Sequence, residues 1–401
     1  MAPAAVRFAR AQASTPESAT GPDPIDALKS LVALVPGSVA NEAVSQGVLF
    51  YHADLKAQFD ALGVDRTAPD WIEQVPIAQM TIPLALVSPV FQYAMSDELV
   101  EAIGFQPLDL DRALETGVPP DNLSLLQGSF DREHLESAWK AAGYASVKLD
   151  GDLTMWSKGE DGDLNVQDPV MRIGAGALNN LLLLDDGRTL VISRMGKIVR
   201  GVAKQAQSAA SGDSMLGMPH VETVIQSLLP ATASSIVVSP AMLMPSPQLN
   251  VPSAAKEGTP EIVVPGMGGD GPEMPAALMA AFGVEAGVTN TNVSDAGAPA
   301  TPEALPAGTP ADGVKRAQVR LAMASEEDAK QAVDIAAERW KILESPVRME
   351  PYAEVMTLVE ASVSTEEATV AAFDFDQGGV GNLWQAVLMN RDLLPFAPGS
   401  L

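Results

Sequence analysis

The chain has 401 residues, 47% of them hydrophobic and 19% charged, with a formal net charge of −26. That is enough chain for about two domains with a sizeable core, and the charge opposes long-range attraction to nucleic acid or an anionic membrane surface, so no nucleic-acid partner is expected. The absence of cysteine excludes disulfides, thiol nucleophiles and thiolate-held zinc or iron–sulfur sites.

Residues 1–24 are rich in Ala, Pro, Ser and Thr and read as a flexible low-complexity tail. Arg7 and Arg10 precede any acid, and Ala11-Gln12-Ala13 has the form of a signal-peptidase site, without the apolar run that should stand before it. A truncated export signal, a processed terminus and a plain tether all fit. An α+β domain is expected over 25–244, opening with one amphipathic helix that Pro36-Gly37 closes. In Gly47–Val64 an apolar, aromatic-rich strand leads into a short helix capped by Asp54 and ended by Gly63. Val75–Met95 is apolar but broken by Pro83 and Pro89, which favours strands over one helix. From Ser96 two short helices are expected, the first ended by Gly104 and the second opened by Asp109 or Asp111.

The stretch Leu123–Lys158 holds a strand, a helix and a hairpin in one unit. Asp131 is placed to cap the helix, Leu135, Ala138, Trp139 and Ala142 fall on one of its faces, and Asp150-Gly151-Asp152 marks the turn of the hairpin. In Glu160–Asp168, Asp161, Asp163 and Asn165 match the first ligands of a calcium loop. Val166 and Arg172 then stand where the turn Gly and the bidentate Glu belong, so a solvated acidic turn is preferred and calcium remains the alternative. Leu178–Arg194 reads as a hairpin about Asp185-Asp186-Gly187, followed by a helix with Lys197, Arg200 and Lys204 on it. A further helix ends at Pro230 and a strand surrounds Ile236–Val238.

Residues 245–312 are Pro- and Gly-rich and read as an insertion or linker, with one short helix in Pro272–Gly287. Its GMGGDG lacks the strand and capped helix that a dinucleotide fingerprint requires. Residues 313–401 form a C-terminal α+β module that completes or repeats the fold: a strand, a helix capped by Ser325 with Asp328 at its third position, then a strand carrying Asp374 and Asp376 on one face, and another helix. Trp340, Trp384 and Phe396 are assigned to packing. The fold class is α+β, with antiparallel sheets covered on one face by helices and pseudo-duplicated strand-helix-hairpin modules.

The segments GSFDREHLESAWKAAGY with the DLTMWSKG hairpin, and MASEEDAKQAVDIAAERW with NRDLLPF, resemble uncharacterised secreted or lipid-anchored bacterial proteins built from duplicated α+β modules. The resemblance implies a location outside the cytoplasm and no particular chemistry; the lipid-bearing Cys of a lipoprotein is missing.

No catalytic, cofactor-binding or metal site is assigned. His52, His134 and His220 fall in unrelated elements, and no nucleophile motif has its required flanks. No apolar run of about 18 residues predicts a transmembrane helix. The expected function is a non-enzymatic structural, assembly or interaction protein outside the cytoplasm, partnered by itself or by another envelope protein through the tail or the insertion. A solute binder with an aromatic-lined cleft between the halves is the alternative, and a hydrolase using Asp374 and Asp376 the third.

Overall fold

The computed structural model describes residues 23–68, 97–118, 120–165, 167–208, 213–229, 232–244, 272–285, 316–345, 350–365, 368–376 and 393–399. In chain order the first half holds α1 (Pro24–Leu34), α2 (Gly37–Gln46), β1 (Val48–Asp54), α3 (Leu55–Ala61), α4 (Asp97–Ile103), β2 (Leu110–Thr116), β3 (Leu123–Gly128), α5 (Arg132–Ala141), β4 (Ala145–Lys148), β5 (Thr154–Ser157), α6 (Pro169–Arg172), β6 (Asn180–Leu183), β7 (Thr189–Ser193) and α7 (Gly196–Gln207). There follow α8 (Val221–Gln226), β8 (Thr232–Val238), α9 (Pro240–Leu243), β9 (Met279–Glu285), β10 (Arg316–Ala322), α10 (Glu326–Ile342), a short β11–β12 ladder (Glu344–Ser345, Glu350–Pro351), α11 (Tyr352–Val355), β13 (Thr357–Ser364) and β14 (Val370–Asp376).

Twelve strands form one antiparallel sheet in the order β13-β14-β10-β9-β8-β1-β2-β3-β7-β6-β5-β4. The order is mirrored about the β1–β8 seam. On one side lie β1, β2, β3 and, after α5, β7; on the other lie β8, β9, β10 and, after α10, β14. The duplication is therefore one of whole half-sheets, and the strand-helix units at β3–α5 and β10–α10 occupy equivalent places in it.

Helices cover both faces of this sheet. On one face the first half packs Leu55 and Phe59 of α3 and Leu135 and Trp139 of α5 on Ala113, Leu126, Leu181 and Ile192. The second half sets Ala329, Ala332, Ile335, Ala336 and Trp340 of α10 on Phe282, Val319 and Phe373. The other face carries the central cluster, where α1, α2, α7 and α8 supply Leu31, Val39, Val199 and Val224 against Phe50, Leu125, Val191 and Val237. Strands buried on both faces need apolar residues at every position: in the run Leu181–Leu184, Leu181 and Leu183 belong to the first-half cluster while Leu182 and Leu184 belong to the central one.

The expected caps are present. Asp54, Asp131 and Ser325 accept hydrogen bonds from the amides of Ala57 (2.8 Å), His134 (3.1 Å) and Asp328 (3.1 Å). Two expected helices are strands. The one opened by Asp109 or Asp111 is β2, which lies between β1 and β3 and bonds to both; Leu110, Ala113 and Leu114 sit at helical spacing, and strand pairing overrides it. The helix expected in Pro272–Gly287 is β9, held between β8 and β10, so the range read as a linker supplies an inner strand of the sheet. Helix α2 and strand β13 were not anticipated, and Pro36-Gly37 joins two helices rather than closing one. The apolar segment 75–95, the glycines of 266–271 and the helix expected around Trp384 lie outside the described residues.

Candidate functional site: an open edge and a polar cleft

The sheet ends at β4, four residues long, and at β13, eight residues long. On its inner side β13 pairs with β14, with a register shift between Leu358 and Glu360. Among the described residues no strand lies on its outer side. Leu358, Ala361 and Val363 turn toward the α10 cluster. Glu360 stands opposite Asp374 and Ser362 opposite Ala372 on the other face, and Val359 is 60% exposed.

Where β13 ends, a cleft of about 420 Å³ opens between α1, α8 and the β13–β14 turn. Its lining includes Asp23, Asp26, Lys29, Gln226, Ser227 and Ser364, with no aromatic side chain among the described residues. Asp23 is engaged with the amide of Ile25 (2.8 Å), and Lys29 is paired with Glu222 (2.9 Å). Asp26 has neither a hydrogen bond nor an ion pair to a described residue.

Beside the cleft, Arg320 is buried and fully engaged. It donates to the carbonyls of Ser227 (2.8 Å) and Phe373 (2.9 Å) and to the Asp374 carboxylate (2.7 Å). Gln318 donates to Thr232 Oγ1 and accepts from the Leu229 amide, so the two side chains tie the end of α8 to the sheet. Burial pushes the Glu285 carboxyl above its ordinary value; Arg316 opposes that shift and Asp374 adds to it.

Asp374 and Asp376 share the face expected of them but do not line the cleft, and Asp374 serves as the counter-ion of Arg320. The calcium-like ligands are spent on turns: Asp161 accepts from the amides of Gly196 and Lys197 at the start of α7, and Asp163 from that of Glu160. Among the described residues no group of three or more acids and histidines is placed to hold a metal ion. Lys197 of the basic helix face pairs with Asp121 (2.9 Å).

His52 lies inside β1 at the seam, 3% exposed, opposite Leu114 on one side and Ser235 on the other. Neither ring nitrogen, nor the Ser235 hydroxyl, bonds to a described residue. Burial lowers the pKa of His52 to about 3, and the neighbouring Arg112 acts in the same direction. So buried a pair is out of reach of a substrate. Sequence reasoning placed neither the open edge nor the cleft; the alternation of Ala361 and Val363 with Glu360, Ser362 and Ser364 was the one available signal for the edge.

No protein-family model matches this chain, and comparison with curated proteins gives no match either. Among solved structures, crystal form I of TP0453 matches over 89% of this chain and 96% of that one, at 8% identity and a TM-score of 0.35. So distant a likeness transfers neither a site nor an activity.

Proposed function

We propose that this chain is a non-enzymatic assembly or interaction protein of the bacterial cell envelope or exterior, self-associating through its tail. The β13 edge is the observation that carries the reading, because a strand with no neighbour on its outer side among the described residues is a template for strand addition. The Ala11-Gln12-Ala13 tripeptide and the two early arginines support the location. A second reading, a binder of small polar solutes, draws on the cleft at Asp26, although its lining has no aromatic side chain among the described residues. A hydrolase draws no such support, since Asp374 is held by Arg320 away from that cleft.

Sedimentation velocity on the full chain and on one beginning at Asp23 tests the assembly. The expected result is a concentration-dependent oligomer for the full chain and a monomer for the shortened one. Monomers throughout would sink it.

A further inference from the structure

We infer that the cleft between α1, α8 and the β13–β14 turn binds a zwitterionic amino acid with an aliphatic side chain, its ammonium held by Asp26 and its carboxylate by Lys29. The inference deepens the solute-binding reading by naming the class of solute, and it is independent of the assembly reading.

Both charges of the cleft come from one helix. Asp26 and Lys29 stand three apart on α1, so their Cβ atoms lie about 5–6 Å apart on one face, where opposite charges ordinarily pair with each other. Here they do not. Lys29 reaches across to α8 and pairs with Glu222 (2.9 Å), whose carboxylate also accepts from Gln226 (3.3 Å). The ammonium is thus held in place with one of its donors engaged, and a lysine has three. Asp26 keeps its charge with no partner among the described residues. Its place in the first turn of α1 suits a carboxylate, because the helix dipole favours negative charge there, but a dipole gives its oxygens no donor. The opening therefore shows an acid and a base side by side. A molecule with an ammonium and a carboxylate on one carbon complements both.

The rest of the lining sets the rest of the ligand. Ile25, Leu228, Ala368 and Val370 supply an apolar patch, in which Leu228 and Val370 are buried. Ser227 donates its hydroxyl to the Val224 carbonyl (2.9 Å), and its own carbonyl accepts from Arg320 (2.8 Å), so that wall is fixed before a ligand arrives. A volume of about 420 Å³ lies in the range of small-molecule sites. Other classes fit less well. Among the described residues no aromatic face is present for a quaternary ammonium, and no group of three acids or histidines is placed for a metal ion. A simple anion would meet Asp23 and Asp26, and a simple amine would meet Lys29.

Isothermal titration calorimetry on the full chain tests the proposal, with leucine, leucinamide, 4-methylpentanoate and glucose as probes. Leucine should bind saturably, and the two analogues that each lack one of its charges should bind at least tenfold more weakly. Asp26→Asn should weaken leucine at least tenfold, erase its advantage over 4-methylpentanoate and leave the urea midpoint in place. Leucine that does not bind, or that binds Asp26→Asn as well as the native chain, would overturn the inference. Glucose bound by a chain that ignores leucine removes this assignment and keeps a polar-solute site. Binding of neither removes both, and the assembly reading then stands or falls on sedimentation alone.

Discussion

The two halves of the sheet solve one problem in two ways. Each lays a helix across the same face and anchors it with a tryptophan whose indole N–H donates to a carbonyl: Trp139 on α5 to Ile103 (2.8 Å) and Trp340 on α10 to Met356 (3.1 Å). In the first half the ring meets one other, Trp156, edge-on at 6.2 Å. In the second it sits among Phe375 at 4.4 Å, Tyr352 at 5.1 Å and Phe396 at 6.0 Å. The second half buries its arginine pins, Arg320 under the end of α8 and Arg339 on the carbonyls of Ala397 and Gly399, whereas those of the first half, Arg66 on the carbonyls of Leu108 and Leu110 and Arg112 on Asp54, are only half-buried. The half that ends in the long β13 edge is the one with the denser aromatic core and the more deeply buried polar fastening. A strand paired on one side alone needs a firm mounting there.

The largest test of this contrast is to remove each anchor. Trp340→Ala should cost about 4 kcal/mol and Trp139→Ala about 3 kcal/mol, both within the range for truncating a buried aromatic, as read from urea unfolding. Equal costs would show that the aromatic cluster adds nothing beyond burial.

Next comes the pin. Arg320→Met should destabilise by about 3 kcal/mol, since it leaves Asp374 and the carbonyls of Ser227 and Phe373 without their donor. Adding Asp374→Asn should recover part of the loss. An unchanged unfolding midpoint for Arg320→Met would mean that α8 is held by its apolar face alone.

The most gradual effect lies at the seam. The unfolded chain takes up a proton on His52 below about pH 6.5, whereas the folded chain refuses it until about pH 3. Stability from this residue is therefore present above pH 6.5 and lost as the pH falls through that window. Relative to a His52→Leu variant, the native chain should lose about 1.4 kcal/mol per pH unit there. Parallel stability curves for the two proteins would place the ring in contact with water.

Much of the fold was legible because its signals are local. Asp54, Asp131 and Ser325 announce helices through a single hydrogen bond, and Gly151 and Gly187, at positive φ, mark hairpins within a few residues. What misled was non-local. The identity of β2 and β9 is decided by strands on either side, and Met279–Phe282, apolar at each position, shows no alternation because both its faces are covered. The edge and the cleft were hidden for the same reason. Asp23 and Ser364 come together through the sheet, and no spacing along the chain brings them into one sentence.

The β1–β8 seam also bears on how the chain reaches this state. Phe50 pairs with Val237 across about 190 intervening residues, whereas β2–β3, β4–β5 and β6–β7 join neighbours in sequence. Closing so long a loop is entropically costly until both sides offer prepared surfaces. The hairpins and their crossing helices are thus positioned to form early and the seam to zip last. A chain emerging from the ribosome presents the exposed flank of β1 until β8 has been made, so the growing molecule carries for a time an adhesive border that the finished sheet covers.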